Sequence, residues 1–254
     1  MRYRIAVLIP LLLLYRAAWG QSQSVAGMDM PGHDISKMNS ANEDCVSGAH
    51  AIHSMEGHIN MGPHMKMTSL RQAKAGDAER AQKVADEARQ AAEKYRDYHV
   101  AVADGFKIFH PEVPQKMYHF TNYAYAMEAA LRFNPEHPTS LLYEKHGDNY
   151  KLIGVMYTAP KRFTEEQLDQ RIPLSVAQWH EHVNLCMPPA EKQKEALSPH
   201  PQFGLRGSIT TQDACEAAGG KFSPVVFNWM VHLYPFEKDQ SGMWSLERQH
   251  GDAD

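Results

Sequence analysis

The sequence predicts an α+β domain with a mainly antiparallel sheet, packed with a long N-terminal helix and several short helices. Three observations lead there. Apolar residues recur at spacings of three and four over Ala78 to Asp104, a hairpin pattern covers Leu141 to Thr158, and two late segments alternate with period two: "QWHEHVNLC" (Gln178–Cys186) and "VVFNWMVHLY" (Val225–Tyr234). Helices and strands come in mixed order with hairpins, which favours an antiparallel sheet over the regular alternation of a parallel one.

The helix has Asp77 as N-cap, Glu79 in its first turn and Gly105 just past its end. Ala81, Val84, Ala88, Ala91, Tyr95 and Val102 form one stripe for burial, with charged residues opposite. His99 lies near that stripe and reads as a packed residue. "KMYHF" is a short extended piece containing His119, and "TNYAYAMEAALRF" a helix capped by Thr121 or Asn122. "LLYE" and "YKLIGVMYT" are rich in residues that favour strands, and "KHGDN" supplies the turn between them. Pro173 opens the next strand, expected to run to Cys186. Short helical pieces near "AEKQKEAL" and "TQDACEAA" lead to the last strand.

The chain divides into a signal peptide over 1–20, a disordered tail over 21–67 and a domain over 68–254. Arg2 and Arg4 precede an apolar run from Ile5 to Leu14, followed by small residues up to Gly20. That order marks a secretory signal, and the run falls well short of the roughly 20 residues that span a bilayer. A periplasmic or secreted protein with no membrane anchor after cleavage is expected. A net charge of -4, spread evenly, points away from nucleic acid and anionic membranes. Of the three cysteines, Cys186 and Cys215 are expected to pair in an oxidising compartment, leaving Cys45 free.

The tail is poor in periodic apolar residues but holds Met28, Met30, Met38, Met55, Met61, Met65 and Met67, with His33, His50, His53, His58 and His64. Its densest part, "HSMEGHINMGPHMKM", contributes His58, Met61, His64, Met65 and Met67 as candidate ligands. Thioether sulfur is soft, and together with imidazole it selects copper rather than magnesium or calcium. In this composition the tail resembles the Met/His-rich segments of periplasmic copper-handling proteins, which implies copper capture.

On a strand, side chains alternate between faces, so His180, His182, Asn184 and Cys186 are expected on one face, Trp179, Val183 and Leu185 on the other. Leu174 and Val176 would continue the histidine face and help to bury it. In the last strand, Asn228, Met230 and His232 would share a face opposite Phe227, Trp229, Val231 and Leu233. His180, His182 and His232, completed by His119, form a ligand set suited to copper, zinc or non-haem iron. The His-x-His pair resembles that of the cupins, where an acidic ligand and a later histidine follow. Here Cys186 stands where the acidic ligand would be sought and the glycine-flanked second motif is missing, so no ligand set is carried from that family.

The leading expectation is an exported protein that binds or handles a transition metal, copper above all. One alternative is a secreted mononuclear metalloenzyme on the same histidines, with Glu181 or Glu144 carrying protons. Another is a non-catalytic secreted interaction domain with structural histidines. No nucleophile elbow, phosphate loop or HExxH motif is present.

Overall fold

Eight strands and a set of short helices follow the 16-residue first helix or precede it in the order β1 (Met65–Met67), α1 (Asp77–Ala92), α2 (Tyr98–Ala103), β2 (Lys107–Ile108), β3 (Met117–Thr121), α3 (Tyr123–Ala129), β4 (Ser140–His146), β5 (Asn149–Ala159), α4 (Glu165–Arg171), β6 (His180–Met187), α5 (Gln212–Ala217), β7 (Lys221–Val225), β8 (Trp229–Leu233) and α6 (Gln240–Met243). This computed structural model describes residues 62–113 and 115–245. The expected signal segment, Cys45 and most of the expected tail, including His58 and Met61, lie outside the described residues.

The strands pair antiparallel in the order β1-β6-β8-β5-β4-β3-β2, with β7 added on β6. The fold is therefore α+β on an antiparallel sheet. Two expected boundaries move. The long helix is not the first element, because Met65–Met67, assigned to the tail, forms an edge strand on β6. The last strand is broken in two, β7 and β8, by residues 226–228.

The helix also ends earlier than its periodicity suggests. It runs Asp77–Ala92, tightens into a 3-10 turn over Glu93–Arg96, and stops at Asp97, whose backbone is extended. The Asp97 side chain accepts the His99 backbone N–H and so caps α2 instead of continuing α1. A short acidic side chain satisfies a fresh helix start better than a helix interior. His99 is exposed, bonded to Asp97 at 2.8 Å. Asp77 lies inside the first turn rather than at the cap, which is Gly76 at φ 86.

One sheet face carries the main core. Trp179, Trp229, Val231, Leu233, Val155, Tyr157, Phe120 and Tyr143 pack against the alanine stripe of α1, where Ala81, Ala85 and Ala88 are wholly buried. Small side chains let the helix approach closely, and the Tyr143 hydroxyl donates to the Tyr95 carbonyl at 2.6 Å, tying sheet to helix. The other face has its own smaller cluster of Met117, Leu142, Met156, Met230 and Tyr234. Near the far end, Cys186 and Cys215 form the expected disulfide, 29 residues apart, packed with Phe203. Closing a loop of that length contributes about 3–4 kcal/mol in the chain-entropy account.

Curvature is what matters for the site. β3 and β8 are three strand steps apart in the sheet order. In a flat sheet that is about 14 Å, with side chains standing parallel. Yet His119 on β3 and His232 on β8 bring their Nε2 atoms to 3.5 Å. The sheet is thus coiled into a trough with these rings on the concave side. Two local features permit it: a register irregularity between Leu142 and Tyr143 on β4, and Gly154 on β5, where an added Cβ would lie 2.8 Å from the Leu233 carbonyl oxygen. Bulges and glycine are the ordinary means of bending a strand sharply.

Candidate metal centre

Four histidines meet on the concave face. His180 and His182 stand two residues apart on β6 and share a face, His232 comes from β8, and His119 from β3. Their ring centres form a chain: His182 to His180 5.7 Å, His180 to His232 5.2 Å, and His232 to His119 5.5 Å. His180 and His232 are buried; His182 and His119 are half-buried.

These spacings can be set against a coordination sphere. Imidazole nitrogens about 2.0–2.1 Å from a tetrahedral ion lie about 3.3 Å from one another, with ring centres about 5 Å apart. The measured Nε2 separation of 3.5 Å and ring spacings of 5.2 to 5.7 Å are close to those values. Among the described residues, no three histidine, cysteine or carboxylate side chains form a ready-made sphere. Histidine χ2 is a broad and soft torsion, so neighbouring rings can turn toward a shared ion at little cost.

The electrostatics suit neutral ligands. Burial, with the neighbouring His182 adding to it, pushes the His119 imidazole down to about 4. A neutral ring presents a lone pair at neutral pH, the form that binds a metal. Glu181, between the two β6 histidines in sequence, projects to the opposite face. There it lies 3.7 Å from the Lys66 ammonium, which sits over the Trp229 ring. Its carboxyl is raised by burial, with Lys66 pulling the other way. Glu144 shares the histidine side of β4 by register but is half-exposed, 3.5 Å from His146. A surface hollow bounded by Arg96, Lys116, Glu144 and Tyr234 opens beside Met117, and none of the four histidines lines it.

Methionines border the histidines. Directly opposed residues on paired strands share a face. Met65 is opposite His182, Met67 is opposite His180, Met230 faces His180 from the other side, and Met156 is opposite His232. Met156 was not singled out by the sequence reading. Its strand was visible from its residue types, but its neighbour across the sheet was not.

Several expected faces are corrected, and one candidate tail ligand lies apart from the four histidines. His64 is buried elsewhere, with Nε2 2.6 Å from the Gly207 carbonyl and Nδ1 3.3 Å from that of Val183, so it fastens the start of β1 rather than joining the four. Leu174 and Val176 are not on the strand: Pro173 to Ala177 is a turn, closed by bonds from the Val176 and Ala177 N–H groups to the Pro173 carbonyl. The histidines are buried by sheet coiling, not by continuation of an apolar strand face. Asn184 adopts φ 57, which breaks the pleat, so Cys186 does not extend the histidine face but enters the disulfide cluster. Phe227 packs against His182 with ring centres 5.7 Å apart, on the side opposite to the one alternation assigned.

Compared with known protein families, with characterised proteins and with solved structures, the chain matches none. Among the described residues, no helix is long and apolar enough to cross a membrane.

Proposed function

We propose that this protein binds a transition-metal ion through His119, His180, His182 and His232, and that it is an exported metal-handling protein whose tail captures copper. The observation that carries the site is a chain of four imidazoles from three strands, in which each neighbouring pair of rings is spaced close to two ligands of one nitrogen coordination sphere. The N-terminal segment supports export, and the Met/His content of the tail supports copper there; zinc and iron remain candidates for the domain site on nitrogen ligands alone.

Binding is favoured over catalysis by the placement of the carboxylates. The metalloenzyme alternative would draw on Glu181 or Glu144 to carry protons at the ion. Glu181 faces away from the rings and Glu144 stands at the exposed end of its strand.

The test is metal content and thermal stability measured together on the full chain and on His180→Ala, His182→Ala and Glu181→Gln. Each histidine variant is expected to bind the domain ion more weakly and to carry less of it than the wild type, because each removes one of the four ligands. Glu181→Gln is expected to keep it. Equal metal content in all four proteins, after reconstitution with copper, zinc and iron in turn, rejects the site.

A further inference from the structure

Resting on that reading of the four histidines, we infer that the domain site is built for a soft monovalent copper ion, with thioether sulfur from Met65, Met67 and Met230 available beside the imidazole nitrogens. Strand register carries the argument. Met67 and Met230 flank His180 from its two neighbouring strands, and Met65 is opposite His182. Such cross-strand pairs have Cβ atoms about 5 Å apart on one face, within reach of a flexible methionine side chain. Met117, two residues before His119, differs: its sulfur already accepts the Tyr234 hydroxyl at 3.8 Å, so it is left out of the set.

Charge points the same way. Imidazole and thioether are neutral ligands, and the carboxylate nearest in sequence, Glu181, projects to the other face toward Lys66. An ion held here keeps its full charge in a largely buried setting. The desolvation cost rises with the square of that charge, so a divalent ion is penalised far more than a monovalent one. Softness and low charge coincide in copper(I) among common biological ions. The half-buried edge strand β1 carries two of the three sulfurs, so they sit between the site and solvent.

The experiment uses the full apo chain, carrying leucine in place of the tail methionines Met28, Met30, Met38, Met55 and Met61 in every protein compared so that tail sulfur does not hold the ion, titrated anaerobically with copper(I) against a chromogenic chelator, and separately with zinc(II). The wild type is compared with the Met65→Leu/Met67→Leu/Met230→Leu variant. Leucine conserves volume, so packing is little disturbed. Met65→Leu alone, on the edge strand, serves as the variant least able to affect folding. The triple variant is expected to lose about tenfold or more in copper(I) affinity, the scale on which groups bordering a site act. Its zinc affinity is expected to stay unchanged, and X-ray absorption at one equivalent of copper should lose its sulfur contribution while keeping nitrogen. Met65→Leu should move copper(I) affinity in the same direction by less. Unchanged copper(I) affinity and unchanged sulfur in the triple variant overturn the inference and leave the histidine site standing. If His180→Ala and His182→Ala alter neither ion's binding, the underlying reading itself fails.

Discussion

Asp77 governs the histidine strand from a distance. Its carboxylate accepts the Ser175 hydroxyl at 2.6 Å and the Lys74 backbone N–H at 3.0 Å, so it joins the start of α1 to the turn that feeds β6. Those hydrogen bonds, Ser175 first, hold its carboxyl below the usual aspartate range. A carboxyl lowered in the folded state stabilises it above the ordinary aspartate range, and that stabilisation is lost as pH falls through the lowered folded value. Asp77→Asn is therefore expected to melt below the wild type at neutral pH, with the gap closing as the medium is acidified past the ordinary aspartate range. Melting curves across a pH series check this, and a gap independent of pH would show that the carboxylate's charge is not what matters. Asn184 is a second residue of consequence: at φ 57 it separates the histidine half of β6 from the cysteine half, and its amide donates to the Pro63 carbonyl at 2.9 Å. Asparagine tolerates the left-handed region better than most residues, so one strand serves two different surroundings.

At the scale of elements, the coiling of β4, β5 and β8 decides whether His119 and His232 meet. Gly154 sits where the Leu233 carbonyl, the Tyr234 ring and the Leu142 side chain close in, and a methyl group there would lie 2.8 Å, 2.9 Å and 3.3 Å from them. Backbone cannot move aside as a side chain can. Gly154→Ala is expected to destabilise the fold by about 1–3 kcal/mol, as overpacking does. It should also lower metal occupancy, since β8 must shift and carries His232. Chemical denaturation paired with elemental analysis reads both. Wild-type stability and occupancy in Gly154→Ala would mean that the trough is set elsewhere.

For the whole molecule, residues expected to belong to the tail already make contacts with the sheet. His64 is fixed by Gly207 and Val183, and Lys66 pairs with Glu181 across the β1–β6 register. Deleting residues 21–61 is expected to lower copper stoichiometry and leave melting nearly unchanged. Deleting 21–67 should in addition lower the melting temperature, because it removes an edge strand and leaves the buried Glu181 carboxylate without its ammonium. Equal copper uptake with and without residues 21–61 would take the tail out of the proposal, and equal melting of the two truncations would mean that β1 contributes nothing to stability.

The sequence alone determined what depends on near neighbours. Alternation placed His180 and His182 on one face, the helix cap was narrowed to Thr121 or Asn122 and is Asn122, "KHGDN" was an evident turn, and the pairing of Cys186 with Cys215 was readable from which cysteines lie in the folded part. It also identified all four histidines as candidates, since each lies in an extended segment. What it left open, or set wrongly, depends on contacts between distant segments. That His119 reaches His232 follows from a coiled sheet in which β4 and β5 stand between them. That Met65, Met67, Met156 and Met230 line up with the histidines follows from register across four strands. Asp97 broke a helix that periodicity would have continued by accepting the nearby His99 N–H, and Asn184 broke an alternation with its amide on the carbonyl of Pro63, 121 residues away. Side-chain period is written residue by residue along the chain. Pairing, register and curvature are chosen by the total burial of the folded molecule, and only the tertiary structure decided those.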